Sequence, residues 1–315
     1  MGDPTDVVLA VDVGGTKLAV ALVSASGAVR ARRGTPTPKP SGPGAGEALW
    51  SVLTSLIEDL SAGPDTPPTE AGPQAGHRIV ACGVGCGGPM TPGGDLVSPL
   101  HIPAWRSFPL QARLAASVGA PTWVDNDAKA LALGEGWAGA AVGVPDYLAM
   151  VVSTGVGGGI VLNGTLLEGA SGNAGHVGHV VVDPNGRPCA CGGRGCLEAE
   201  ASGPAIAAAT GAPPAAAGVD VRRRTGMLVG RAVASVANLL DLQLAVVGGS
   251  VALGYGDVFL AAARAEAAQR ARLPFSSGLR IVLPPRGPDA PLLGAAAVAW
   301  RGLAGASTAP AAPDR

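Results

Sequence analysis

Short apolar runs that end in a polar residue and a glycine turn recur along this chain. Val7–Val11 leads into Asp12 and a Gly-Gly turn, after which a second apolar run returns at Leu18–Val23. Tyr147–Val152 leads in the same way into the segment STGVGGG, and Ile160–Leu162 returns. Apolar runs of this length, bounded by turn residues, predict two strand–turn–strand units. Two such units facing each other would present backbone N–H groups to one anion from two sides.

The segments around these units predict further elements. The apolar residues of Glu47–Leu60 recur at helical spacing and predict a helix with one buried face. Ile79–Val84 reads as a strand that leads into the segment CGGP. A predicted helix at Leu228–Leu240 precedes a strand at Leu244–Val247, which ends in the segment GGS. Four prolines and three glycines in Ala62–Gly76 predict a mobile surface loop.

Composition narrows the class of protein. Of 315 residues, 47% are hydrophobic and 14% are charged, as in a globular protein, and only 3% are aromatic. The core is therefore expected to consist of valine, leucine, isoleucine and alanine. The net charge of -1 gives no indication of a nucleic-acid or membrane partner. No apolar stretch is long enough to span a bilayer, and MGDPTD lacks a signal-peptide pattern, so we expect a cytoplasmic protein.

Four soft metal ligands are concentrated in one glycine-rich segment. His179, Cys189, Cys191 and Cys196 lie within GHVVVDPNGRPCACGGRGC. One imidazole and three thiolates complete a tetrahedral shell, which is typical of a structural zinc site without an open coordination position. The alternatives are free thiols in a turn and, less compatible with a reducing compartment, a disulfide. We expect a zinc ion to fix this loop.

Three glycine turns and one group of polar residues predict phosphoryl-transfer chemistry. The turns DVGGTK, STGVGGG and VVGGS each follow an apolar strand, as backbone phosphate sites do, but none matches the P-loop or dinucleotide-binding pattern. Asp125, Asn126 and Asp127 stand at a predicted strand end, directly before a helix. Phosphoryl transfer to an alcohol needs a carboxylate that orients the hydroxyl and accepts its proton, and we assign that role to Asp127. Helix capping is the alternative interpretation for one of these residues.

Taken together, these motifs resemble those of the ROK family of sugar kinases and repressors. The matching segments are DVGGTK, VDNDA, VSTGVGGGIV, GNAGHVGH, CACGGRGCLE and ASG. The resemblance implies an α/β, two-domain ribonuclease-H-like fold of the actin, hexokinase and sugar-kinase superfamily with a central cleft. It implies a small domain at 1–122, completed by a helix at about 290–303, and a large domain at 123–289. Residues 304–315 are expected to form a disordered tail.

The resemblance also implies roles for individual residues. Asp127 would be the general base, and the sugar would contact Asn126, His176, His179 and Glu198. The γ-phosphate and Mg²⁺ would lie at Asp12, Gly14, Gly15, Thr16 and Lys17. The inner phosphates would contact Ser153, Thr154, Gly155, Gly157 and Gly158, and the adenosine would contact Gly248 and Gly249. The implied cofactors are ATP, Mg²⁺ and structural Zn²⁺, and the implied assembly is a homodimer or homotetramer.

Two departures from the family pattern leave the substrate open. His176 replaces the glutamate usual in glucokinases of this kind, and the segment Ala205–Thr225 is short. We expect an ATP-dependent hexose kinase that acts on the 6-hydroxyl of glucose. The alternatives are N-acetylmannosamine and an aminosugar or cyclitol of a specialised pathway. A non-catalytic sugar-sensing repressor is the alternative from another class, but only six residues precede the strand at Val7, too few for a DNA-binding unit.

Overall fold

The computed structural model describes residues 5–62 and 77–308. These described residues form two compact units, one that ends at residue 130 and resumes at residue 291, and one that spans 131–290. The predicted loop at Ala62–Gly76 lies, except for its first residue, outside the described residues. In chain order, the strands and helices are β1 (Asp6–Val13), β2 (Lys17–Ser24), β3 (Val29–Pro36), α1 (Ala45–Ala62), β4 (Arg78–Cys86), α2 (Leu110–Val118), β5 (Thr122–Asn126), α3 (Asp127–Ala138), β6 (Tyr147–Val152), β7 (Val156–Leu162), β8 (Thr165–Leu166), α4 (Leu197–Ala201), α5 (Gly203–Thr210), α6 (Val219–Leu240), β9 (Leu244–Gly248), α7 (Ser250–Arg270), β10 (Arg280–Val282) and α8 (Ala290–Thr308).

The first unit is a five-stranded mixed sheet in the order β3-β2-β1-β4-β5. β1 pairs antiparallel with β2 and parallel with β4, and β4 pairs parallel with β5. β1 and β2 are buried almost throughout their length, as expected for strands that are covered on both faces. A side chain at Gly83 of β4 would collide with the main chain of Ala295 and Ala299, so α8 packs directly on this strand.

The second unit repeats this strand arrangement in a sheet of order β10-β9-β6-β7-β8. β6 pairs antiparallel with β7 and parallel with β9, as β1 does with β2 and β4. α6 and α7 pack closely, because side chains at Gly226 and Gly230 would collide with the main chain at Phe259 and Ala263. The repeated strand–turn–strand pattern in the sequence therefore corresponds to a repeated sheet topology.

The α/β fold class is confirmed, with differences in the helices. The predicted helix at Glu47–Leu60 lies within α1, and the predicted helix at Leu228–Leu240 is the C-terminal part of α6. α8 continues to Thr308, past residue 304, where the sequence predicted the start of a disordered tail. Its alanines favour a helix even without a charged face. Within the described residues, no helix is long and apolar enough to cross a membrane.

Candidate functional site

In the first unit, the ends of β1, β4 and β5 lie side by side, and β1 and β5 each carry an aspartate there. Asp12 of β1 is paired in register with Gly85 of β4, which is paired with Asp125 of β5. The chain then turns at Gly14, whose N–H donates to the Lys17 carbonyl at 3.0 Å. The Thr37 hydroxyl donates to the Gly14 carbonyl at 2.6 Å and fixes the turn from β3's side of the sheet. The predicted DVGGTK turn therefore follows the strand that carries Asp12.

The carboxylates of Asp12 and Asp127 interact electrostatically. Asp12 is half-buried, and burial, followed by the charge of Asp127, raises its pKa to about 7 against the opposing charge of Lys17. The same two carboxylates, after burial, raise the pKa of the Cys86 thiol at the end of β4. A protonated thiol thus lies near two carboxyl groups. The sequence analysis gave Asp12 a role at the γ-phosphate and Asp127 the role of base, and the first unit brings the two carboxyl groups within electrostatic reach of each other.

Asp127 opens α3, and its neighbour caps the helix. The Asn126 side-chain oxygen accepts from the N–H groups of Ala128 at 3.0 Å and Lys129 at 3.4 Å, so Asn126 has the capping role. Asp127 accepts from the N–H of Ala128 at 2.9 Å. A carboxylate at a helix N-terminus is stabilised by the helix dipole, which also fixes its position. Capping therefore accounts for Asn126, whereas Asp127 is the first residue of the helix itself.

In the second unit, two of the predicted glycine turns meet. Gly248 of β9 is paired in register with Val151 of β6, which places the two turns after these strands side by side. The hydroxyls of Ser153 and Ser250 are 2.9 Å apart, and the Gly203 N–H donates to the Ser153 carbonyl at 2.7 Å. Gly249 has φ +95°, and a side chain there would collide with the main chain of β6. This cluster is a backbone-rich surface suited to phosphate oxygens.

The histidine loop and Glu198 lie beside the same glycine-rich strand. Glu198 of α4 accepts a hydrogen bond from the Val156 N–H at 2.9 Å. Gly175 has φ +100° and packs so closely on Gly158 of β7 that neither position has room for a side chain. His176 and His179 are exposed, with ring centroids 6.0 Å apart. The predicted residues His176, His179 and Glu198 therefore share one region of the second unit.

The four predicted metal ligands also come together in the second unit. The donor atoms of His179, Cys189, Cys191 and Cys196 all lie within 4.8 Å of one another. The Cys189 Sγ is 3.8 Å from the His179 Nδ1, and the Cys191 Sγ is 3.7 Å from the Cys196 Sγ. Ligands at about 2.3 Å from a tetrahedral zinc ion are separated by about 3.8 Å, so this donor set fits zinc. All five cysteines of the chain are free, so no disulfide competes with this assignment.

Two residues of these regions were missed by the sequence prediction. A side chain at Gly15 would collide with His101, so this exposed imidazole lies against the DVGGTK turn. His101 sits in an irregular segment without periodicity, and only the folded chain reveals its position. Ser250 could have been found, because it follows the strand and glycine pair of β9 as Ser153 follows the strand of β6.

Solved structures of known proteins have the same fold as this chain. The ROK glucokinase of Streptomyces griseus, solved with glucose and AMPPNP, matches with a TM-score of 0.78 and 28% identity over 94% of this chain and 100% of that chain. The ROK hexokinase of Thermus thermophilus matches with a TM-score of 0.73 and 31% identity over 95% and 99% of the two chains. The fold is thus that of the actin, hexokinase and sugar-kinase superfamily.

Sequence comparison defines the family. The ROK family pattern matches residues 8–301. The N-acetylmannosamine kinase of Shigella flexneri is 37% identical over 268 residues, which cover 79% of this chain and 84% of that protein. The chain belongs to the ROK family.

Proposed function

We propose that this chain is an ATP-dependent sugar kinase that transfers the γ-phosphoryl group of ATP to the 6-hydroxyl of a hexose, with glucose the first candidate. The observation that carries the proposal is the pair of carboxylates in the first unit. Asp127 opens α3 close to Asp12, which lies two residues before the first glycine of the turn. Phosphoryl transfer to an alcohol requires one carboxylate for the hydroxyl proton and a second acidic group on the phosphate side.

In this mechanism Asp127 accepts the proton of the sugar hydroxyl while the oxygen attacks the γ-phosphorus. A new O–P bond forms, the bond from the γ-phosphorus to the bridging oxygen breaks, and ADP leaves with that electron pair. Asp12 and Lys17, with the backbone of Gly14, Gly15 and Thr16, hold the γ-phosphate end of MgATP. Most of the rate enhancement then comes from positioning and charge stabilisation rather than from covalent chemistry by the protein.

The second unit supplies groups for nucleotide and sugar. The turn from Ser153 to Gly158 is assigned to the inner phosphates, and Gly248 and Gly249 to the adenosine. By the family resemblance, Asn126, His176, His179 and Glu198 are assigned to the sugar hydroxyls. His179 and the three cysteines would hold a zinc ion that stabilises the loop carrying His176 and His179, and such a four-ligand site would have no open position for chemistry.

N-acetylmannosamine is the second candidate substrate, supported by His176 and by the name of the Shigella flexneri relative. A neutral imidazole can donate and accept hydrogen bonds, whereas an ionised glutamate can only accept them. The residue at this position therefore changes which hydroxyl or amide groups of a sugar can be recognised. An aminosugar or cyclitol is a third candidate by the same reasoning.

The experiment is a panel of sugars assayed with ATP and Mg²⁺. We expect ATP-dependent phosphorylation of glucose or N-acetylmannosamine, with ADP and sugar 6-phosphate formed in equal amounts. Glucose 6-phosphate formation is read by a coupled dehydrogenase, and ADP formation by a second coupled assay for all sugars. ADP release that is independent of every hexose, aminosugar and cyclitol tested would refute the proposed function.

A further inference from the structure

A cavity of about 630 Å³ lies in the second unit. Its walls come from the segment 183–188, which lies between the candidate zinc ligands His179 and Cys189, from Arg194 and Glu200, and from α5 and α6. A volume of this size is within the range of sites for small molecules. None of the candidate sugar, phosphate or metal residues named above lines it.

Five charged side chains line this cavity. Three arginines (Arg187, Arg194 and Arg224) and two acids (Asp183 and Glu200) line it, which leaves an excess of one positive charge. Glu200 is 2% exposed and accepts from the Arg187 N–H at 2.6 Å and from Arg224 Nη2 at 2.8 Å. Although burial alone would raise the pKa of Glu200, these hydrogen bonds and the charge of Arg187 lower it to about 2.

Two of the arginines retain donors for a ligand. Arg224 donates through Nη2 to Glu200, and Arg194 donates through Nη1 to the Gly186 carbonyl at 2.7 Å. Within the part of the chain that the structure describes, their other guanidinium nitrogens have no protein partner. A guanidinium group carries five N–H donors in a planar fork that matches phosphate oxygens. Ile206 and Val221 add apolar surface to the cavity lining, and this surface suits the organic part of a small ligand.

We propose that this cavity is a second, non-catalytic binding site for a phosphate monoester with a small organic body, of the class of sugar 6-phosphates. The choice of a sugar phosphate rests on the proposed function, because the product of that reaction belongs to this class. Glu200 lies two residues after Glu198 on the short helix α4, and Glu198 holds the Val156 N–H of β7. A ligand at Arg224 would therefore lie beside Glu200 on the helix that also carries a candidate sugar-binding residue.

The test is calorimetric titration of glucose 6-phosphate into protein that already holds saturating glucose and AMPPNP, so that the proposed catalytic site is occupied. Wild type is compared with Arg224→Gln, Arg194→Gln and the control Arg223→Gln. Arg223 pairs with the exposed Asp220 at 2.8 Å and does not line the cavity. Zinc content and thermal unfolding are measured for each variant, and Arg194→Gln tests the site independently if Arg224→Gln unfolds.

Wild type is expected to bind about one glucose 6-phosphate per chain. Loss of a charge-assisted hydrogen bond should weaken binding about tenfold or more in Arg224→Gln and Arg194→Gln. Arg223→Gln should bind as wild type does, and inorganic phosphate should bind more weakly than the ester because it lacks the organic body. The proposal is overturned by absence of binding to wild type, by equal affinity in all four proteins, or by inorganic phosphate binding as tightly as the ester.

This outcome is separable from the test of the proposed function. Binding is measured without turnover and is compared between variants whose changes lie in the second unit. A chain that binds glucose 6-phosphate through Arg224 and phosphorylates no sugar refutes the proposed function and leaves the second site supported. A chain that phosphorylates a sugar, but binds glucose 6-phosphate equally well in Arg224→Gln and Arg194→Gln, supports the proposed function and overturns the second site.

Discussion

Replacing Asp12 by asparagine should stabilise the ligand-free protein while abolishing activity. Asp12 is half-buried beside Asp127, and burial followed by the Asp127 charge raises its pKa from 3.8 to about 7. A carboxyl group whose pKa is higher in the folded state binds protons more tightly there than in the unfolded chain. The folded state is therefore penalised once the pH exceeds 3.8, and the penalty is fully present above about pH 7.

The size of this penalty follows from the pKa difference. The difference between a pKa of 3.8 in the unfolded chain and one of about 7 in the folded protein corresponds to about 4 kcal/mol, since one pKa unit is worth about 1.4 kcal/mol. Because Asp12 is partly accessible to solvent, screening reduces this upper bound to roughly 1–3 kcal/mol. Asparagine has the same shape without the charge, so Asp12→Asn should raise the free energy of unfolding by this amount at pH 8 and by less at pH 5.

The assay is urea unfolding of wild type and Asp12→Asn at several pH values between 5 and 8.5, without Mg²⁺ or nucleotide. The stability difference should grow from pH 5 to pH 7 and remain constant above it. Asp220→Asn, which removes an exposed carboxylate with an 89% exposed side chain, is the control and should change stability by less than about 1 kcal/mol. An Asp12→Asn protein that is no more stable than wild type at pH 8 would refute the electrostatic account of this pair.

Two further predictions concern the loop in the second unit. Cys191→Ser should lower bound zinc from about one ion per chain to almost none and loosen the loop, as metal analysis and hydrogen exchange would show. The control Cys82→Ala in β4 should retain the metal. A wild-type protein that is fully active without zinc would contradict this prediction. His176→Glu should change the ratio of kcat/KM between glucose and N-acetylmannosamine about fivefold to a hundredfold, because one hydrogen bond to a buried group is worth roughly 1–3 kcal/mol; the KM for ATP and the zinc content serve as controls, and an unchanged ratio would indicate that His176 only packs against the loop.

The parts of the fold that local sequence determines were predictable. An apolar run followed by a polar residue and glycines indicates a strand that ends at a turn, and this identified the segments at Asp12 and Ser153. The metal ligands were predictable because soft donors in a glycine loop have few other uses. Neither prediction required knowledge of which strands pair.

Contacts between distant segments could not be predicted in this way. His101 contacts Gly15 although more than eighty residues separate them in the sequence. Glu200 and Arg224 form a hydrogen bond between two different helices, α4 and α6. α7 was missed because its alanine- and glycine-rich segment lacks a strong helical period, and tertiary packing rather than a polar face stabilises it. The C-terminal helix α8 was expected only from the family resemblance, at about 290–303. Gly256 even interrupts α7 with φ +56°, which no periodicity argument anticipates.

The most direct test of the proposed mechanism is the turnover of Asp127→Asn in the ATP-coupled sugar assay. The variant keeps the shape of the side chain but cannot accept the hydroxyl proton, so kcat should fall about a hundredfold or more while the sugar Kd changes little. Asp125→Asn, one residue before the helix cap, is the matched control and should retain most of its turnover. Near-normal kcat in Asp127→Asn, or an equal loss in Asp125→Asn, would contradict the assignment of Asp127 as the base.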